Sequence, residues 1–187
     1  WGVTTTASAA APVLLQQEPI SADHWAPKPA KVNVAHFAPF AGSVDATSVT
    51  VRVDGQPVFT NFKFGDIQKA VELPAGTYHI EIVPTGATDP AISGDVTVEG
   101  EKQYTLAAIG DGGNQPLELF ALVDDTAAPA SGAKLRIAHL APFAADLNAT
   151  KVDICTDGGD VVVGGVPYKA FTDPYLSLPA GDYNLKI

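Results

Sequence analysis

Residues 31–55 read KVNVAHFAPFAGSVDATSVTVRVDG, and residues 134–158 read KLRIAHLAPFAADLNATKVDICTDG. Aligned from Lys31/Lys134, the two segments keep one register without a gap. It runs through His36/His139, Pro39/Pro142 and Thr47/Thr150 to Gly55/Gly158. After a small insertion in the second copy the match resumes, with Leu73-Pro74-Ala75-Gly76-Thr77-Tyr78 against Leu178-Pro179-Ala180-Gly181-Asp182-Tyr183. Chance does not produce such a match, so the fold must be one unit used twice. At 187 residues the chain has room for two small domains.

Each copy reads as strands. Val32, Val34 and His36 alternate with Asn33 and Ala35. Val49, Val51 and Val53 alternate with Thr50 and Arg52 and run into the Asp54-Gly55 turn. Further strands are expected over Val58–Phe64, around Tyr78, Ile80 and Ile82, and over Ala91–Val98, Gln103–Ile109 and Leu117–Val123. No helix is expected. Seven short strands with regular turn signals predict an all-β fold of two tandem immunoglobulin-like β-sandwich modules. The expected organisation is an extended N-terminal arm over 1–30, repeat 1 over 31–124, an Ala/Pro/Ser/Gly-rich linker over 125–133, and repeat 2 over 134–187.

Three elements carry a family resemblance. They are Val34-Ala35-His36-Phe37-Ala38-Pro39, the Val49 to Gly55 strand, and Leu73 to Tyr78, each with its second-copy equivalent. In these the chain resembles a β-sandwich repeat family of extracellular bacterial and archaeal proteins, catalogued as a domain of unknown function (family 4397). The resemblance covers roughly residues 31–123 and 134–187 and implies secreted or cell-surface modules without known catalysis. It carries no chemistry with it.

Composition narrows the function. Charged residues are 17% of the chain, and Gly, Pro, Ala, Thr and Val take their place. The formal net charge is −10, with no cluster of Lys or Arg, so a nucleic-acid partner is not expected. No apolar run reaches the length of a membrane span. The absence of Met, even at position 1, is read as a processed N-terminus or a start within a longer precursor, as after signal-peptide removal. Localisation is therefore expected to be extracellular or at the cell surface. Cys155 is the single cysteine, so no internal disulfide, zinc cage or CxxC pair can form.

The second copy reaches Ile187 in the strand that matches LPAGTYHIEI, and counterparts of Ala91–Val98, Gln103–Ile109 and Leu117–Val123 do not follow in this sequence. Repeat 2 is thus expected to be incomplete, with open backbone edges and an apolar inner face. The arm carries Val13-Leu14-Leu15, and Pro12, Pro19, Pro27 and Pro29 hold it extended. It is expected to donate a strand to a neighbour's open sandwich near Val161, Val162, Val163 and Leu185. Head-to-tail donation of this kind generates a filament. Two readings compete with this one: a native chain that continues past Ile187, and an arm that folds back on its own chain.

Motifs that carry chemistry are few. His36 and His139 fall one per repeat and lack partners at H-x-H or H-x-x-x-H spacing, so each is expected to pin its Pro-containing loop through backbone hydrogen bonds. The turns Asp111-Gly112-Gly113-Asn114 and Asp157-Gly158-Gly159-Asp160 supply too few carboxylates for calcium and suit tight turns. No nucleophile elbow, P-loop or dinucleotide fingerprint occurs, though a triad assembled only in space leaves no local motif. Cys155 aligns with Arg52 at an outward position, and Asn148-Ala149-Thr150 is a glycosylation sequon. No catalytic, cofactor or metal residues are assigned and no cofactor is expected. The leading expectation is a non-enzymatic extracellular structural protein, polymerising with copies of itself. The alternative is a monomeric adhesion module that binds surface glycans or proteins, for which Trp25, Phe37, Phe40 and Phe143 supply aromatic surface.

Overall fold

The computed structural model describes residues 28–187, and within them the chain is all-β. Eight strands fill the first repeat: β1 (Ala30–His36), β2 (Val49–Val53), β3 (Gln56–Phe62), β4 (Ile67–Leu73), β5 (Gly76–Pro84), β6 (Ile92–Val98), β7 (Gln103–Ile109) and β8 (Glu118–Asp124). They form two four-stranded sheets, ordered β4-β1-β7-β8 and β3-β2-β5-β6. All pairings are antiparallel except β1 with β7. Alternation puts one side of each strand inward. Val32, Val49, Val51, Ile80, Ile82, Tyr104 and Leu106 form one core between the sheets.

The Asp54-Gly55 signal makes the expected two-residue hairpin. Both residues have positive φ, 50° and 78°, the twist that matches β2 to β3. Two strands differ from the sequence expectation. β3 starts directly after that turn, at Gln56, and stops at Phe62. The sequence pattern does not predict β4. It runs along the sandwich edge, where most of its side chains meet water, and Ala70 adopts φ +54° where the β1–β4 register shifts. That bulge moves the apolar residues off strict alternation, which erases the period-two signal.

β7 is buried on both faces, and its sequence YTLAAI is accordingly almost continuous apolar. Tyr104, Leu106 and Ala108 point into the sandwich. Ala107 and Ile109 point outward and join Ala35 and Tyr168 in a second core, backed by Phe37, Phe120 and Leu140. The second repeat thus packs on the outer face of the first repeat's sheet. At its margin Arg136 donates to Asp124 (3.1 Å) and to the Val123 carbonyl (2.7 Å), with its guanidinium over the rings of Tyr175 and Phe171. Gln115 donates to the Ala144 and Ala145 carbonyls across the same boundary. Gly110, at the end of β7 with φ +89°, lies so close to the Pro116 carbonyl that any Cβ would collide with it.

The second repeat contributes β9 (Ala133–Leu135), β10 (Val152–Thr156), β11 (Val161–Val166), β12 (Leu176–Leu178) and β13 (Leu185–Lys186). They assemble as sheets β11-β10-β13 and β12-β9. These pairings repeat those of the first copy. Lys134 faces Ser177 as Lys31 faces Glu72, and Cys155 faces Lys186 as Arg52 faces Glu81. The linker residue Asp125 is tied down, accepting from Lys134 while its backbone N–H donates to the Tyr175 hydroxyl. Among the described residues no helix is long and apolar enough to cross a membrane.

Candidate functional site

The residues that mark the repeat build one polar node in each copy. The His36 imidazole is 1% exposed; its Nε2 lies 2.9 Å from the Thr47 carbonyl, and the Ala38 N–H donates to Nδ1. With Nδ1 accepting, Nε2 must carry the proton, so the ring is neutral. Burial lowers its pKa from the ordinary histidine value. Thr47 ends a 3-10 turn, Asp45–Thr47. Its hydroxyl donates to the Val44 carbonyl (2.6 Å) and accepts the Phe64 N–H (2.9 Å). The second copy repeats three of these four bonds, without the one to the histidine Nδ1. His139 Nε2 meets the Thr150 carbonyl (2.9 Å), and the Thr150 hydroxyl donates to Leu147 (2.7 Å) and accepts the Tyr168 N–H (2.9 Å). The histidines therefore stitch the loop after the first strand to the strand return.

The LPAG-x-Tyr element also has a physical role. The Tyr78 hydroxyl donates to the Pro74 carbonyl, and that of Tyr183 to Pro179, both at 2.8 Å. Each ring thus clamps the turn that launches its strand. The two aromatics after the node differ between copies. Each ring lies against its histidine, Phe40 at 5.8 Å and Phe143 at 5.7 Å between centroids, but Phe40 also packs on the core, whereas Phe143 is 54% exposed.

Of the expected assembly residues, Val13, Leu14 and Leu15 lie outside the described residues. Val161, Val162 and Val163 lie on β11, and Leu185 lies on β13, in one three-stranded sheet but on opposite sides of β10. Val161 is 59% exposed and Leu185 38% exposed. Among the described residues β13 pairs only with β10, and β9 only with β12. Their counterparts β5 and β1 each have a second neighbour, β6 and β7. Among the described residues, the ladder edges with a single neighbour where the first copy has two therefore run along β13 and β9. β11 instead matches β3, a sheet edge in the first copy as well.

The remaining candidates are placed as follows. Cys155 is half-buried on β10. Asp111 spends its carboxylate on the Gly113 and Gln115 N–H groups and on the Asn114 amide, closing its own turn. Thr156 organises the Asp157–Asp160 turn, accepting the Asp160 N–H at its hydroxyl. Asn148 lies in a 3-10 turn (Leu147–Thr150) capped by Asp146. Its sequon partner Thr150 is fully buried with the hydroxyl doubly engaged, so the folded chain does not present that hydroxyl.

The structure also joins three residues that no local motif connects. Ser93 Oγ lies 3.1 Å from His79 Nε2, and His79 Nδ1 lies 2.6 Å from Asp95. Hydrogen bonding to Asp95 raises the His79 pKa. The signal lay in hairpin register, since His79 faces Asp95 directly across β5 and β6 and Ser93 is two residues away on the same face. The trio stands on the exposed outer face of the sheet, beside a Thr77–Thr97 pair, where it acts as a cross-strand polar ladder.

The chain matches no curated protein and no solved structure. A family profile described as "Domain of unknown function (DUF4397)" matches residues 30–150, more than half of the sequence. That stretch starts at β1, takes in the whole first repeat, and ends at Thr150 of the second node. By that match, the chain belongs to the DUF4397 family.

Proposed function

We propose that this protein is a non-enzymatic extracellular structural subunit whose copies join by strand donation into a filament or surface layer. The observation that carries the reading is the pair of one-sided strands in the second repeat, β13 and β9. Each stands where the first repeat has a strand with two neighbours. A strand from another copy laid along β13 would supply the backbone hydrogen bonds that β6 supplies to β5, and would cover Leu185. Val13, Leu14 and Leu15 of the N-terminal arm are the apolar residues suited to that groove, with Val161–Val163 at the other margin of the same sheet. The low content of charged residues, 17% of the chain, leaves neutral surface that copies of the chain can bury against one another.

The test is sedimentation velocity on the full chain and on a variant lacking residues 1–20. The full chain is expected to sediment as concentration-dependent oligomers and the shortened one as a monomer. Equal assembly by the two would remove the arm from the mechanism.

One observation favours a second reading, a monomeric adhesion module for surface glycans or proteins. Phe143 and Leu147 stand exposed together on the loop after β9, whereas the equivalent Phe40 packs inward.

A further inference from the structure

The two sheets of the first repeat come close on one side, where β6 approaches β8, and stand further apart on the other, between β3 and β4; neither pair is hydrogen-bonded. Beneath that parting lies a cavity of about 110 Å³, walled by Val51, Phe59, Phe62, Val71, Ile80 and Leu106. Among the described residues its one polar neighbour is His36, and both ring nitrogens of His36 are already engaged. Nothing in the wall can therefore hold a water by hydrogen bonds. A space of this size and lining is of the order of the ~150 Å³ apolar cavity that stays dry and admits benzene.

The mouth is built rather than loosely packed. β3 and β4 each carry a non-glycine residue in the left-handed region, Asn61 at φ +55° and Ala70 at φ +54°. Side chains hold both bulges: Ser48 donates to the Asn61 amide oxygen, and the Asn33 amide oxygen accepts the Ala70 N–H. Bulges on both rim strands bend them and keep Phe59, Phe62, Val71 and Leu73 half-exposed at the rim instead of meeting across it.

We propose that this inter-sheet cavity is a binding site for one hydrocarbon group, entering between β3 and β4 with no polar atom carried inside. The group is either a small free hydrocarbon or the tail of an amphiphile whose head stays in water outside the rim. The site is independent of the open edge in the second repeat.

The experiment is methyl NMR and thermal unfolding of the full chain with benzene, and separately with sodium octanoate below its micelle concentration. Binding is expected to shift the methyl signals of Val51, Ile80 and Leu106, and to raise Tm by about 5 °C at tenfold Kd. Response to benzene alone assigns a free hydrocarbon, and response to octanoate assigns a tail. Ala108→Leu, which adds carbon atoms at the cavity wall, is expected to abolish both responses while leaving the fold intact. The wild-type methyl shifts stand as the test even if that variant does not fold. If neither probe moves those signals in the full chain, for instance because residues 1–27 already occupy the space, the proposal is overturned.

Discussion

Replacing Thr150 by valine changes the second node by one oxygen and little volume. Thr150 is fully buried; its hydroxyl donates to the Leu147 carbonyl and accepts the N–H of Tyr168, itself 3% exposed. Valine leaves the Tyr168 N–H without a partner in a place water does not reach, and takes a donor from the carbonyl of the exposed Leu147. A buried unsatisfied donor costs about 1–3 kcal/mol and a lost neutral hydrogen bond about 1 kcal/mol, so Thr150→Val should destabilise by about 3 kcal/mol. Thr47→Val removes the same two bonds, but the N–H set free belongs to Phe64, which is 39% exposed. Water can replace that partner, so the expected cost is about 1–2 kcal/mol. Urea unfolding with an m-value of about 2 kcal/mol/M would show midpoint shifts of about 1.5 M and 0.7 M respectively. Equal shifts, or a shift below about 0.3 M for Thr150→Val, would refute the claim that these hydroxyls hold the repeats' loops.

Three further outcomes follow from the same geometry. His36 is bonded as the neutral ring and its pKa is lowered by burial, so its stabilisation is complete above the unfolded value of 6.5. It is lost as pH falls through 6.5 toward the folded value, because the unfolded chain takes the proton first; the urea midpoint should drop from pH 7 to pH 5, and less so in His36→Asn. His79 has the opposite sign: NMR titration should place its pKa above 6.5, and Asp95→Asn should return it toward 6.5, with unchanged values excluding the His79–Asp95 bond. The Tyr168 hydroxyl is pushed up to about 12 by burial, and the Gly110 amide lies near it but outside hydrogen-bonding geometry. Tyr168→Phe should therefore be neutral or stabilising by up to about 1 kcal/mol, and a clear loss in thermal unfolding would reveal a partner.

The parts of the fold legible in the sequence were those dictated by period and by turn chemistry. Val49, Val51, Ile80 and Ile82 alternate because β2 and β5 each turn one face to the core and the other toward water, and Asp54-Gly55 is where a two-residue hairpin needs positive φ. The role of His36 and His139 in backbone bonding could be read from their equivalent places in the repeat. What stayed hidden depends on contacts distant in sequence. β4 escaped because an edge strand bulged at Ala70 carries no clean alternation. The packing of the second repeat on β7 was written in the run Tyr104–Ile109, but a strand buried twice looks the same whichever partner covers it. Ser93, His79 and Asp95 needed the β5–β6 register, which no local motif supplies.

Electron microscopy of the full chain, purified from its native source, tests the assembly account most directly. Strand donation between copies predicts filaments or a sheet with a regular axial repeat, which disappear in the variant lacking residues 1–20. Discrete particles two small domains long, at every concentration, would contradict it.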